Sequence, residues 1–251
     1  MIPIALTMAP RYTEPDVHRK CFASIAAAGF RDIHVFHEPG RYECWPEAAV
    51  EFYGSQQRLG EWHNFIRAVR TMLSKFPQAD RLMTMQDDVA WCRHSAEVIE
   101  SMPWPADRCG VVHAYTSRRY ASYPLSCICR LSDVHARCMA GACGLVFSRE
   151  AAETLIAIAD SVGWRGHTRH VIDAPEAKEG VDTFIGETLH GAGYEIWIHN
   201  PSMGQHIAKD STLGHGGPFG SRVAANWPGE QVDARTLYRA LHEDDRTLQN
   251  I

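Results

Sequence analysis

Two adjacent carboxylates close an apolar run in Met83-Thr84-Met85-Gln86-Asp87-Asp88-Val89. The run before them reads as a buried strand. That sets the pair at a strand's carboxyl end, where open α/β sheets bind their ligands. Two neighbouring charges there are costly unless something positive neutralises them. A divalent cation holding a diphosphate would do so, because hard cations prefer carboxylate and phosphate oxygens. The plain alternative is a solvated turn with two acids, since short motifs also match by chance.

Two further residues could join this chemistry. His206, in Asn200-Pro201-Ser202-Met203-Gly204-Gln205-His206-Ile207, follows the last predicted strand. Delivered by a long loop, it could complete a metal site. With fourteen histidines in the chain, an ordinary surface or core histidine is the alternative. Asp182, in Gly180-Val181-Asp182-Thr183, falls at a predicted helix start. It would either cap the helix or take a proton from an acceptor hydroxyl as a general base; the motif alone favours capping.

The elements that must position these residues alternate along the chain. Residues 2–8 read as a buried strand, and Val17, Cys21, Ile25 and Ala28 give helical spacing over 14–28, stopped by Gly29. Ile33–Phe36 is a second strand, so the chain opens β–α–β, the start of a parallel sheet. A helix is predicted over 61–76, then strands over 81–85 and 110–114. Residues 115–138 have no clean period and read as irregular. A strand over 142–147 leads into a helix from Ser148, a good N-cap, to about Val162. Residues 163–180 read as loop, 181–190 as helix, 194–198 as the last strand, and 233–242 as a terminal helix. The stretch 199–230, rich in Gly, Pro, His and Ser, reads as a long loop, a length that is usually functional or disordered.

Composition sets bounds on partners and class. The chain has 251 residues, 45% hydrophobic and 22% charged, with no linker, repeat or low-complexity run, so one domain is expected. A net charge of -5 provides no global field toward nucleic acid or anionic lipid. The apolar start Met1–Leu6 has neither a basic flank nor a cleavage site, and no stretch is long enough to cross a bilayer. The expected location is therefore cytoplasmic, with no membrane partner. The eight cysteines lack the C-x2-C pairs of zinc sites and read as reduced, mostly buried thiols.

In combination and in order, these pieces resemble the glycosyltransferases of the GT-A fold over roughly residues 2–215. The β–α–β start is followed by Leu59-Gly60-Glu61-Trp62-His63-Asn64, then the strand ending in the acidic motif. Next come Gly141-Ala142-Cys143-Gly144-Leu145-Val146-Phe147-Ser148-Arg149, the acid at a helix start, and Pro201-Ser202 running to Gln205-His206. The resemblance implies a single-domain α/β, Rossmann-like fold with a mostly parallel central sheet flanked by helices. It divides the chain into a nucleotide-sugar-binding half (1–114), an acceptor half with an active-site loop (115–230) and a terminal tail (231–251). The cofactors it implies are Mn2+ or Mg2+ and a nucleotide-sugar donor, a UDP-sugar foremost.

The resemblance also carries roles onto this chain. Asp88 would be the main metal ligand with His206, Asp87 would lie near the ribose, and Asp182 would be the catalytic base of an inverting transfer. Thr7, Arg11, Glu38 and Asn64 would hold the nucleotide. Apart from the resemblance, the glycine-rich loop 200–220 would close over the donor and let Lys209, His215 or Arg222 reach the phosphates. Where the family carries Asp-x-Asp or Glu-Asp-Asp, this chain has Gln86-Asp87-Asp88, which implies weaker metal binding.

The expected acceptor is a glycan or a hydroxymethylated base in nucleic acid. Tyrosines and arginines interleave over 113–123, with Arg130, Arg137, Trp164, Arg165, Arg169 and His170 further on. Such groups stack on bases and sugars and hold phosphates, or they form an ordinary amphipathic surface. Two rivals remain open: a metal-dependent phosphohydrolase or nucleotidyltransferase, and a nucleotide-sugar-binding module without catalysis. The chain has neither a G-x4-G-K-[ST] loop nor a G-x-G-x-x-G after its first strand, which disfavours the common nucleotide-triphosphatase and dinucleotide classes.

Overall fold

A computed structural model describes residues 2–125, 127–162, 180–209 and 223–239. The apolar run Ile4–Met8 forms strand β1, largely buried as a central strand must be. Helix α1 (Asp16–Ala28) packs Val17, Cys21, Phe22, Ile25 and Ala28 inward and ends at Gly29, whose φ of 86° reverses the chain. It leads into β2 (Ile33–His37), parallel to β1. Strand β3 (Ala49–Gly54) then adds at the sheet edge, parallel to β2.

Helix α2 (Gly60–Lys75) buries Trp62, Phe65, Ile66 and Val69 and leads to β4 (Arg81–Gln86). Short β5 (Val89–Trp91) and α3 (Ser95–Ser101) precede β6 (Cys109–His113). The stretch expected to be irregular contains a 3-10 turn at Arg118–Tyr120, strand β7 (Cys127–Arg130) and the one-turn helix α4 (Asp133–Arg137). Strand β8 (Gly144–Ser148) passes directly into α5 (Arg149–Val162), and the Ser148 hydroxyl accepts the Ala151 N–H at 3.2 Å as an N-cap does. Helix α6 (Val181–Gly191), β9 (Glu195–Asn200) and β10 (Gly204–His206) complete the described elements. Residues 234–239 are helical within the predicted terminal helix, whereas the expected loop at 163–179 lies outside the described residues.

The strands form an eight-stranded sheet ordered β3-β2-β1-β4-β8-β6-β9-β7. Strands β1, β2, β3, β4, β6 and β9 run one way; β8 and β7 oppose them. The sheet is therefore mostly parallel, as expected. Helix α1 covers one face over Leu6, Val35, Met85 and Val146. Helices α2, α5 and α6 cover the other over Leu82, Val111, Leu145 and Ile198. This is one α/β unit of three layers.

A separate two-stranded ribbon pairs β10 with β5 antiparallel, setting His206 opposite Val89 and Gly204 opposite Trp91. It forms inside the stretch read from sequence as loop, because its pairing joins segments more than a hundred residues apart and leaves no local period. Trp91, on β5 itself, is fully buried. A Cβ on Gly144 would stand 2.4 Å from the Trp91 ring, and one on Gly204 would stand 2.8 Å from Val89. Both glycines let backbone close over the indole.

Candidate active site

Strand β4 ends at the acidic pair, and the next strand in the sheet, β8, runs the opposite way. The acidic pair thus sits at the carboxyl end of β4, beside the start of β8. The N–H of Gln86 donates to Cys143 O at 3.2 Å, so the segment before β8 lies against the motif.

Both carboxylates are nearly sealed, Asp87 at 3% and Asp88 at 6% exposure. Arg11, from the loop between β1 and α1, turns inward and joins them. Its Nη2 lies 2.9 Å from Asp87 Oδ1 and 2.6 Å from Asp88 Oδ2. Asp87 Oδ2 also accepts the Ala9 N–H at 2.9 Å and lies 2.8 Å from His18 Nε2 on α1. Asp88 Oδ2 lies 2.9 Å from His206 Nε2, carried by β10. Burial works to raise the Asp88 carboxyl, but His206 and Arg11 outweigh it and hold the group below the usual carboxylate range. For Arg11, burial works to lower the guanidinium, and the two carboxylates more than offset it.

Gln86, the first residue of the Gln86-Asp87-Asp88 motif, donates from Nε2 to Glu61 Oε1 at 3.2 Å. A carboxylate at position 86 would meet Glu61 as a like charge. Glu61 opens α2 and also acts on Asp182. Asp182 lies in the first turn of α6, with Gly180 as N-cap. Its Oδ2 accepts the Gly141 N–H at 2.7 Å and its Oδ1 accepts the Thr183 N–H at 2.9 Å. Any Cβ on Gly180 would strike Asp182 Oδ1 at 2.3 Å, so that glycine makes room for the carboxylate. Burial pushes the Asp182 carboxyl up, with the charge of Glu61 adding to the rise, against the opposing N–H groups of Gly141 and Thr183. Gly141 lies two residues before Cys143, which links Asp182 to the same edge as the acidic motif.

The other sequence candidates fall around this centre. Thr7 donates to Met85 O at 3.2 Å, one strand from the motif. Glu38, at the end of β2, is 5% exposed; its Oε2 accepts the Leu59 N–H at 2.7 Å, and its Oε1 has no partner among the described residues. Asn64 donates to Phe36 O at 2.9 Å and accepts from Arg67 at 2.8 Å, so both its polar atoms are engaged within the fold. Lys209 is exposed, and its backbone N–H reaches both Glu14 carboxylate oxygens, at 3.1 and 3.0 Å. His215 and Arg222, like Trp164, Arg165, Arg169 and His170, lie outside the described residues.

Three participants escaped the sequence reading: His18, Glu61 and the inward turn of Arg11. His18 left a usable signal. It falls on the apolar stripe of α1, three and four residues before Cys21 and Phe22, where a polar side chain must find a buried partner.

A divalent cation is implied by the resemblance, and the donor atoms fit one held largely by its substrate. Asp88 Oδ1 is buried without a partner among the described residues, as is His206 Nδ1. Among the described residues no group of three or more His, Cys, Asp or Glu could hold an ion alone. One carboxylate oxygen plus diphosphate oxygens is the usual manner of holding Mg2+ at phosphate sites.

The parallel β3-β2-β1-β4 block, the antiparallel β8 beside it and the acidic motif between β4 and β5 together make a mostly parallel α/β arrangement of the kind the order of motifs implied. No known family model matches the chain, and no curated protein matches it in sequence. Among solved structures it is similar to A197 from STIV, at 11% identity over 82% of this chain and 86% of that one, TM-score 0.42. It is also similar to the mannosyltransferase PcManGT from Pyrobaculum calidifontis in complex with GDP-Man and Mn2+, at 16% identity and TM-score 0.48. That match covers 81% of this chain but only 56% of the mannosyltransferase. Mouse xyloside xylosyltransferase 1 is similar at 8% identity over 76% of this chain and 82% of that one, TM-score 0.40. Such distant likenesses transfer no residue roles. No helix among the described residues is long and apolar enough to cross a membrane.

Proposed function

We propose that the protein is a glycosyltransferase that moves a sugar from a nucleotide diphosphate sugar, a UDP-sugar foremost, to an acceptor hydroxyl with inversion. The observation that carries this reading is the convergence at one sheet edge of the Asp87–Asp88 pair, His206 on Asp88, and Asp182 tied to Gly141. Thr7, Arg11 and Glu38 lie around the same edge, and Glu38 Oε1 is a buried acceptor suited to a base N–H or a ribose hydroxyl.

In this reading Asp88 Oδ1 and His206 hold Mn2+ or Mg2+ together with the donor diphosphate. When bound, the cation neutralises charge growing on the leaving group. Asp182 accepts the acceptor hydroxyl's proton on a carboxylate oxygen. The N–H groups of Gly141 and Thr183 fix that carboxylate in place, and its raised pKa makes it a stronger base than a solvated aspartate. Lys209 lies on a segment tethered to Glu14 and reaches the phosphates as the segment closes. The acceptor is a glycan or a hydroxymethylated base. Binding to the latter would weaken steeply with salt.

One observation favours a second reading, a nucleotide-sugar-binding module without turnover: Asp87 has both oxygens engaged within the fold. Calorimetry with UDP-, GDP-, CMP- and dTDP-sugars, with and without Mn2+, tests both. Binding of one donor that needs Mn2+ and is lost in Asp88→Ala, with transfer to a hydroxyl acceptor, supports the transferase. Metal-independent donor binding with no transfer supports the module, and release of nucleotide without transfer to any acceptor supports a phosphohydrolase.

A further inference from the structure

The acidic pair already carries a cation of its own. The Arg11 guanidinium takes one oxygen from each carboxylate, and its side chain is only 6% exposed. Asp87 Oδ2 is occupied by the Ala9 N–H and His18. What remains for an incoming ion is Asp88 Oδ1, on a residue 6% exposed. A bare divalent ion arriving there finds one free protein oxygen and a fixed positive charge on the same carboxylate. A diphosphate arriving with the ion supplies further oxygens and the negative charge that cancels the repulsion from Arg11.

We propose that Arg11 is a resident counter-ion that keeps divalent cations off the empty acidic pair, so that the cation enters only together with a nucleoside diphosphate. The proposal rests on the donor-site reading above. It makes metal and nucleotide binding strongly cooperative, with the coupling supplied by one side chain. Arg11 then has a role distinct from gripping the nucleotide: it sets the order in which the site fills.

Mn2+ binding is measured by calorimetry and by the paramagnetic resonance of free Mn2+, without nucleotide and with UDP or GDP. In the unaltered protein, nucleoside diphosphate should tighten Mn2+ binding about 10- to 100-fold. Arg11→Gln should bind Mn2+ alone about 10-fold or more tightly than the unaltered protein and lose most of that coupling. Arg11→Lys keeps the charge and should stay close to the unaltered protein; because it retains the neutralising group, it serves if the glutamine variant folds poorly. Metal-only binding as tight in the unaltered protein as in Arg11→Gln overturns the proposal, as does metal-only binding by Arg11→Lys as tight as Mn2+ binding by the nucleotide-bound unaltered protein. If none of the three proteins binds any nucleoside diphosphate, the donor-site reading fails, while the metal-only comparison still decides the role of Arg11.

Discussion

The side-chain amide of Gln86 donates to the carboxylate of Glu61 across 3.2 Å, and this pair joins the acidic motif of β4 to the first turn of α2. An amide suits position 86 because its neighbour is an acid. Gln86→Glu should therefore lower thermal stability without added metal, and Glu61→Gln should restore it. The coupling in a double-mutant cycle should be roughly 0.5–3 kcal/mol. Additive effects would show that the two side chains do not act on each other.

Asp182→Asn should reduce sugar transfer by roughly a hundred- to ten-thousand-fold. Donor affinity measured by calorimetry should stay within about 3-fold, because a general base acts on the acceptor hydroxyl and not on the donor. Normal turnover by this variant would remove Asp182 as the base.

With Asp182 as the proposed base, the same residue would fix the acid limb of the pH profile. A base must be unprotonated to act, and burial raises the Asp182 carboxyl above its ordinary 3.8. The logarithm of kcat/KM should fall with unit slope as pH drops below that raised value, so activity fades at a pH where a solvated aspartate would still be ionised. A limb centred at or below 3.8 would contradict the burial seen here.

Position 204 tests how the histidine is delivered. Gly204→Ala brings a methyl group to 2.8 Å from Val89 and should cost about 1–3 kcal/mol through overpacking. Since β10 carries His206 to Asp88, donor affinity should fall along with the melting temperature. Val89→Ala in the same chain should recover part of both. Loss of stability with unchanged donor affinity would separate the ribbon from the site.

His113 supplies a second pH dependence, unrelated to turnover. It is fully buried, and burial pushes its imidazole from 6.5 down to about 3. Between those values the unfolded chain binds a proton that the folded chain refuses. Stability from this group is thus present above pH 6.5 and is lost as pH falls toward 3, by up to about 1.4 kcal/mol per pH unit. Denaturant melts at stepped pH should show a shallower decline for His113→Gln than for the unaltered protein.

Much of the scaffold is written in local pattern. The apolar run before Asp87, the helical stripe of α1 stopped by Gly29 and the Ser148 cap each depend on neighbours a few residues apart, so the sequence displays them. Strand β3 is hidden because it is an edge strand with Val50 and Phe52 facing outward, so its alternation does not separate core from surface. The β5–β10 ribbon and the Arg11 bridge are hidden for a different reason. The partners of Arg11 lie 76 and 77 residues away, and a lone arginine in a loop carries no mark of an inward turn. The identities of Asp87, Asp88, Asp182 and His206 could be read as candidates from the chain. The way their charges are balanced could not, because it depends on long-range contacts.

The ribbon of β5 and β10 also bears on how the site can open. His206 is held by main-chain pairing, with Cys92 N–H on Met203 O at 2.9 Å before it and Ile207 N–H on Asp88 O at 2.8 Å after it. These amides bracket the same few residues, so the backbone of His206 cannot draw away from Asp88 while the ribbon stays paired. Moving that backbone requires the ribbon to unzip, which would expose the amides of Cys92 and Ile207 together. Their exchange rates would share a single opening free energy, and that free energy is the threshold for displacing the strand that carries the histidine.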